Sequence, residues 1–284
     1  WQENWAEVVK TSEEIISSNA YELLPDFRSV FLETNENNRE MVFSTQYGAI
    51  SNGIEGNQLD VRSAPRGAAP EFIGRGANSN FVPQTAWINA FEKGPDGKIK
   101  DQRYWGVIIG PGEPHQEMSD FVMPLAFPNG YTKTGYIVTK YWQKANVVGS
   151  GLNAPIVRYA EVLLNYAEAL NETGRSEEAM QQVNKIRDRA GLDPRPLQLS
   201  KAATLDAIFY ERRMEFVWEP AGAFSDLNRR DRFMDFIRAN RADYDKIDVG
   251  SKPWLNERPI LLPIPLAAWN VNKSLVQNPG YPGF

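Results

Sequence analysis

The 284-residue sequence contains no cysteine and only one histidine, His115. The lack of cysteine excludes disulfides, thiolate metal sites and cysteine nucleophiles within these residues. One histidine cannot supply a multi-histidine metal site, and no EF-hand spacing of acidic residues is present. The sequence therefore predicts no cofactor and no histidine or cysteine metal site, whereas a structural calcium held by loop carboxylates stays open.

Long apolar runs and an excess of basic charge are also lacking. No run approaches the roughly 20 apolar residues that a membrane-spanning helix needs. Neither a signal peptide nor an initiator methionine precedes Trp1, and we expect upstream sequence to exist. The net charge is −5 with both signs mixed along the chain, which excludes a protein that neutralises nucleic-acid phosphates.

Catalytic motifs are lacking as well. No serine lies in a G-x-S-x-G elbow, which argues against a serine–histidine–acid triad. A glycosidase needs only two suitably separated carboxylates, and the 36 acidic residues leave that alternative open without a positive signal. The charged run Glu211, Arg212, Arg213 and Glu215 is predicted to form ion pairs along one helix face. The chain is predicted not to be an enzyme.

The middle of the chain is rich in glycine and aromatic residues. Fifteen of the 21 glycines lie between residues 41 and 151, which is typical of loops, turns and short strands. The predicted elements here are strands over Glu40–Tyr47 and Gly135–Trp142, a helix over Gln84–Phe91 and a turn at Asp96-Gly97. Long loops on a rigid scaffold commonly carry binding residues.

The rest of the chain is predominantly helical by its apolar periodicity. Residues 3–18 are predicted to form an amphipathic helix that stops at Asn19, and a short helix follows near Pro25–Leu32. Four later helices are predicted over residues 156–172, 177–190, 202–218 and 225–240. Gly174 should end the first of these, with the Ser176 hydroxyl capping the next. The proline-rich tail, residues 253–284, is predicted to run extended.

The helices around Gly174 have the spacing of a tetratricopeptide repeat. Small residues at Ala167 and Ala179 allow two helices to approach closely, with large residues such as Leu163 and Tyr166 beside them. One such pair cannot bury its faces alone, so partner repeats are expected. The opening helix at Trp5–Ile16 is similar to the second half of another pair.

Six segments follow one another along the chain: Arg158–Leu170, Asn184–Gly191, Glu211–Phe216, Asp226-Leu227, Pro263–Pro265 and Gln277–Tyr281. In this order they resemble the SusD/RagB family of outer-membrane nutrient-binding lipoproteins. The resemblance covers nearly the whole chain but only about the carboxyl-terminal half of a typical member. The family's E-G-x-R run is replaced after Glu219 by a segment without that arginine, and Ala268 stands where a glutamate is common. We interpret both departures as changes in local structural contacts.

The resemblance implies a mainly α-helical, SusD-like fold, with tetratricopeptide-like helix pairs supporting a loop-rich lobe that contains short strands. Residues 1–284 would be the carboxyl-terminal part of one domain. Its regions would be a repeat-helix remnant (1–35), the lobe (36–155), the helical repeats (156–246) and the extended tail (247–284).

The implied function is capture of an oligosaccharide or polysaccharide nutrient at the cell surface and its delivery to a SusC-like TonB-dependent transporter. The protein would be an outer-membrane lipoprotein, attached only through an amino-terminal lipid anchor outside these residues. A peptide-binding member of the same family is the alternative within binding. A glycan hydrolase and a protein–protein adaptor are alternatives of other classes.

Ligand contacts are expected from the lobe rather than from the repeat helices. An aromatic face can cover the C–H face of a sugar while arginine or asparagine satisfies its hydroxyls. The candidate ligand-binding residues are Tyr47, Arg62, Arg66, Phe72, Arg75, Asn78, Tyr104, Trp105 and Trp142.

Overall fold

The structure is a computed structural model that describes residues 3–48, 59, 83–114, 134–143, 151–230, 232–239, 263–278 and 283. The chain forms two compact units, Trp1–Ala223 and Phe224–Phe284, which are described separately. The assignment of the whole chain to part of one domain stays a prediction. Among the described residues, no helix is both long and apolar enough to cross a membrane.

The first helix, α1, spans Trp5–Ser17 and confirms the amphipathic prediction. The side chain of Asn4 accepts a hydrogen bond from the Glu7 backbone N–H at 3.4 Å, which satisfies one of the otherwise unpaired donors at the helix start. Asn19 has φ of 53°, the left-handed conformation that asparagine tolerates, and the helix ends just before it.

The central helix pair consists of α4 (Tyr159–Glu172) and α5 (Ser176–Arg189), joined at Gly174 with φ of 85°. The predicted start of the first helix at residue 156 was too early, because residues 154–158 form a strand. The predicted cap was also wrong. Ser176 is the first residue of the helix, and its hydroxyl donates to Asn171 Oδ1 at 2.7 Å.

Helix α6 (Lys201–Glu215) packs against this pair and closes the repeat core. Ala167 and Ala179 are fully buried, as the repeat pattern predicted, and α1 contributes Val9 and Ile16 to the edge of the same core. The buried apolar members of the core are Ala160, Leu163, Leu164, Tyr166, Ala167, Leu170, Ala179, Met180, Val183, Ile186, Ala207, Ile208 and Phe216.

Replacing Ala179 by leucine tests this packing. The side chain has no exposed surface, and added methylenes should force the two helices apart at a cost of about 1–3 kcal/mol in unfolding free energy. We expect a lower urea midpoint for Ala179→Leu and a parental midpoint for Gln181→Leu, which adds a leucine at an exposed position of the same helix. Equal midpoints for Ala179→Leu and the parent would contradict a buried face.

The lobe segments of the first unit are short elements around a second core. They are 3-10 helices at Arg28–Phe31 and Glu33–Asn35, strands β1 (Met41–Thr45), β2 (Ile108–Ile109), β3 (Ile137–Val138) and β4 (Ala154–Arg158), and helices α2 (Thr85–Ile88) and α3 (Gln102–Val107). Strand β1 pairs antiparallel with β4, and β2 with β3. Strand β1 follows α1, and β4 directly precedes α4. The chain therefore leaves the repeat helices and returns to them through two neighbouring strands.

The predicted lobe elements were correct in kind but longer than those found. Helix α3 and strands β2 and β4 were not predicted from the sequence, and Gly106 lies inside α3. A Cβ at Gly106 would lie 3.0 Å from the Phe27 ring, so this glycine lets the 3-10 helix pack closely. The turn at Asp96-Gly97 is confirmed by Gly97 with φ of 76°.

The second unit contains α7 (Ala223–Arg229), α8 (Phe233–Ala239) and α9 (Leu266–Val271). The predicted single helix over 225–240 is therefore two helices. The predicted extended tail is wrong at α9, where Pro265 precedes the helix and the following residues are good helix formers. Gln277 joins the two terminal motifs, because its side-chain amide accepts from Ile264 N and donates to Ile264 O at 2.7 and 3.1 Å.

Candidate functional site

The predicted ligand residues fall into three groups. Arg62, Arg66, Phe72, Arg75 and Asn78 lie outside the described residues. Tyr104 and Trp142 lie in the interior, and Tyr47 and Trp105 retain exposed surface.

Tyr104 and Trp142 are core residues, with 2% and 0% of their surface exposed. The Tyr104 hydroxyl lies 2.9 Å from the Glu113 carboxylate. Burial is the largest cause that raises the Tyr104 pKa well above its usual value, and the negative charge of Glu113 adds to it. A ring with neither face open cannot stack on a sugar, so the ligand role predicted for these two side chains is corrected to a role in packing. Their aromatic character alone could not distinguish the two.

Within the described ranges, the exposed aromatic residues are Phe43 in β1, 62% exposed, and Tyr47 just beyond its end, 37% exposed. Trp105 is half-buried against the second core, edge-on to Tyr104 at 4.9 Å between ring centroids.

A chain of side-chain amides is hydrogen-bonded to the Tyr47 backbone. The Tyr47 backbone N–H donates to Asn153 Oδ1 at 2.8 Å, and Asn153 Nδ2 donates to Gln46 Oε1 at 2.9 Å. Gln46 and Asn37 exchange two hydrogen bonds, at 3.1 and 3.2 Å. We call Asn37, Phe43, Gln46, Tyr47 and Asn153 the aromatic–amide surface.

The hydrogen-bond capacity of this surface differs from residue to residue. Gln46 is saturated, because its NH₂ also donates to Ser44 Oγ at 2.7 Å and its oxygen accepts twice. With respect to the described residues, Asn37 keeps one donor and one acceptor, and the Tyr47 hydroxyl keeps both functions. Gln46 and Asn153 thus fix the geometry, while Asn37 and Tyr47 can bind hydroxyl groups.

A second feature is a cluster of charged side chains sealed inside the first unit. Its members are Glu40, Asp101, Arg103, Lys140, Arg158, Arg187, Arg189, Glu211, Glu215 and Glu219, each with at most 4% of its side chain exposed. We call it the buried ion network.

Arginines connect carboxylates from separate elements of this network. Arg103 on α3 lies 2.7 Å from Asp101 and 2.8 Å from Glu211. Arg158, at the end of β4, lies 3.1 Å from Glu215 and also contacts Glu40 and Glu219.

The prediction of ion pairs along one helix is therefore corrected for Glu211 and Glu215. Their spacing of four residues puts them on one face of α6, but the partners come from α3, β4 and α5. The helix buries this face, so the pairs are tertiary.

In the network, burial and the neighbouring opposite charges shift the pKa of a side chain in opposite directions. Burial alone would raise the pKa of Glu215, but Arg189, Arg158 and Arg103 lower it to about 2. Burial lowers the pKa of Lys140 to about 8, although Glu219 opposes that shift. Glu211 and Glu215 have no exposed side-chain surface, so no substrate reaches them in this structure, and their role is to tie elements together.

Glu219 begins the segment that departs from the family's E-G-x-R run. It accepts from Arg158 Nε and Nη2 at 2.7 and 2.9 Å and pairs with Lys140. Without the family's arginine after it, Glu219 is still fully paired. No group of three or more histidine, cysteine or acidic side chains suited to a metal ion occurs in the described part of the chain, to which His115 does not belong.

The described part of the chain is a mainly α-helical fold in which helix pairs carry a lobe of short strands. Comparisons with known proteins identify the family. Residues 39–281 match the model of the SusD family, and the chain belongs to that family. The mainly α-helical, SusD-like fold predicted from the sequence is confirmed.

Individual relatives agree with this assignment. A SusD-like protein of Formosa agariphila is 25% identical over 265 residues, which are 80% of this chain and 47% of that protein. A SusD superfamily protein from Bacteroides vulgatus superposes with a TM-score of 0.72 at 24% identity, over 99% of this chain and 60% of the other. Surface glycan-binding protein A from Bacteroides thetaiotaomicron superposes with a TM-score of 0.70 at 24% identity, over 97% of this chain and 59% of the other. The chain thus spans about half the length of the curated relative.

Proposed function

We propose that this protein binds an oligosaccharide or polysaccharide nutrient at the cell surface and passes it to a SusC-like TonB-dependent transporter without hydrolysing it. The protein would act as an outer-membrane lipoprotein whose anchor lies upstream of these residues. Membership of the SusD family supports this, as does the likeness to a surface glycan-binding protein.

The observation that carries the binding part of the proposal is the aromatic–amide surface. Phe43 and Tyr47 keep exposed surface, and Asn37, which is hydrogen-bonded to Gln46 next to Tyr47 in the chain, has a spare donor and acceptor among the described contacts. Carbohydrates present apolar C–H faces flanked by hydroxyls, so a ring and a convergent amide suit them together. The amides are already fixed by mutual hydrogen bonds, which lowers the entropy lost on binding.

The buried ion network gives no support to a hydrolase, although it contains five carboxylates. Hydrolysis needs carboxylates that flank the scissile bond, and those of the network face arginines in the interior. We therefore expect the bound glycan to stay intact.

Tyr47→Ala tests the surface. Loss of the ring should weaken glycan binding about tenfold or more, equivalent to about 1.4 kcal/mol, in calorimetric titrations with laminarin, xylan and starch oligosaccharides. Tyr47→Phe keeps the ring and should bind within a few-fold of the parent. Leu197→Ala removes an exposed apolar side chain of the same unit and should bind normally. Parental affinity for Tyr47→Ala would exclude this surface, and binding only of peptides would favour the peptide-binding alternative.

A further inference from the structure

A concavity lined by none of the residues of the aromatic–amide surface lies on the repeat helices. It is an open groove of about 550 Å³, within the range of small-molecule sites. Its walls are the segment Tyr21–Pro25, the start of α4 at Tyr159 and Leu163, and the last turns of α5 at Lys185, Asp188 and Arg189.

Two tyrosines form the aromatic part of the groove. The rings of Tyr21 and Tyr159 are nearly parallel, with centroids 6.4 Å apart and 23° between their planes. Both side chains are half-buried, so each keeps exposed surface, and neither phenolic hydroxyl has a hydrogen-bond partner among the described residues. The mutual stacking restrains both rings before any ligand arrives.

The Tyr21–Pro25 wall is tied to the buried ion network and to Arg39 by hydrogen bonds and an ion pair. The Leu24 backbone N–H donates to Glu40 Oε2 at 2.9 Å, and Glu40 also pairs with Arg189 at 3.2 Å. The Glu22 backbone N–H donates to the Arg39 carbonyl at 3.0 Å, and their side chains form an ion pair at 2.9 Å. The groove is therefore preformed rather than created by loop closure.

The charges around the groove are balanced. Glu22 and Asp188 are negative, and Lys185 and Arg189 are positive. Glu22 already forms an ion pair with Arg39, and Arg189 forms one with Glu40. Lys185 Nζ donates to Gln182 Oε1 at 2.8 Å, which leaves further donors, and the Asp188 carboxylate has no partner within the described ranges. A balanced rim favours neither a polyanion nor a cation, but it offers both a donor and an acceptor to a hydroxyl-rich ligand.

From these features we infer that the groove is a second carbohydrate site, specific for a neutral saccharide. A sugar ring would lie against Tyr21 and Tyr159, and its hydroxyls would donate to Asp188 and accept from Lys185. This inference rests on the proposed glycan-binding function but assigns a separate site, and it modifies the expectation that the repeat helices only provide scaffold.

Calorimetric titration tests the groove with neutral maltohexaose, laminarihexaose and xylohexaose, and with anionic hexagalacturonate. In the Tyr47→Ala background, at least one neutral hexasaccharide should still bind at one site per chain. Adding Tyr21→Ala or Asp188→Asn should weaken that binding tenfold or more. Glu177→Gln, an exposed change on the same helix α5, should leave it unchanged, and circular dichroism should show parental folding for all variants.

The possible failures of the two proposals differ. If the parent binds a saccharide that Tyr47→Ala abolishes and Tyr21→Ala leaves unaffected, the groove is not a site and the proposed function stands. If hexagalacturonate binds the groove more tightly than every neutral hexasaccharide, the assignment to neutral sugars is overturned. If no saccharide binds the parent, both proposals are overturned.

Discussion

Arg158→Met is expected to lower the free energy of unfolding by about 3–5 kcal/mol, the largest effect of any change considered. Arg158 is fully buried and contacts the carboxylates of Glu40, Glu215 and Glu219. Methionine fills a similar volume, so the loss would come from buried carboxylates left with fewer compensating charges. Urea denaturation at pH 7 measures it directly.

An exposed arginine provides the matched control. Arg175 pairs with Glu178 at 2.6 Å, but these side chains are 38% and 46% exposed. Water screens such a pair, and Arg175→Met should cost less than about 1 kcal/mol. Similar losses for Arg158→Met and Arg175→Met would contradict the view that the buried ion network holds the first unit together.

Acidification is expected to remove the contribution of Glu215 to stability. Ion pairs hold the folded-state pKa of Glu215 at about 2, below the value near 4.5 in the unfolded chain. A depressed carboxyl pKa stabilises the folded state above the unfolded pKa, here by about 3 kcal/mol at pH 7. That stability falls as the pH drops from about 5 to about 2, and about 2 kcal/mol of it should be lost by pH 3.

Glu215→Gln isolates this term in urea titrations at pH 7 and pH 3. The variant should be less stable than the parent at pH 7, because Arg158 and Arg189 lose a buried partner. Between pH 7 and pH 3 it should lose about 2 kcal/mol less than the parent. Glu177→Gln, at an exposed position, should follow the parent at both pH values. An equal acid loss in the parent and Glu215→Gln would contradict the assignment.

The repeat helices could be predicted from the sequence because packing imposes a period on them. Ala167 and Ala179 must be small where two helices meet, and Gly174 must adopt a positive φ between them. These are local or nearly local requirements, and they leave a readable pattern.

The buried ion network could not be predicted in the same way. Glu40, Arg103 and Glu215 are far apart in the sequence, and each alone resembles an ordinary surface charge. Only the tertiary fold shows that they lie together without solvent. The same limit applies to Trp142 and Tyr104, because composition gives an aromatic residue no sign of whether it lines a surface or fills a core.

The network also connects the scaffold to both candidate binding surfaces. Strand β1, which leads to Tyr47, pairs with β4, which ends at Arg158. Glu40 precedes β1 and anchors the Leu24 wall of the groove. Disruption of the network should therefore weaken binding indirectly, so binding variants such as Tyr47→Ala are informative only where folding is parental.

The central claim is that this SusD-family chain binds a glycan and leaves it intact. Its most direct test is a calorimetric titration of the parent protein with soluble laminarin, xylan and starch oligosaccharides, followed by chromatography of the recovered sugar. The account predicts saturable binding of at least one glycan, which is recovered at its original length. Absence of binding to every glycan, or recovery of shortened products that a single carboxylate substitution abolishes, would contradict it.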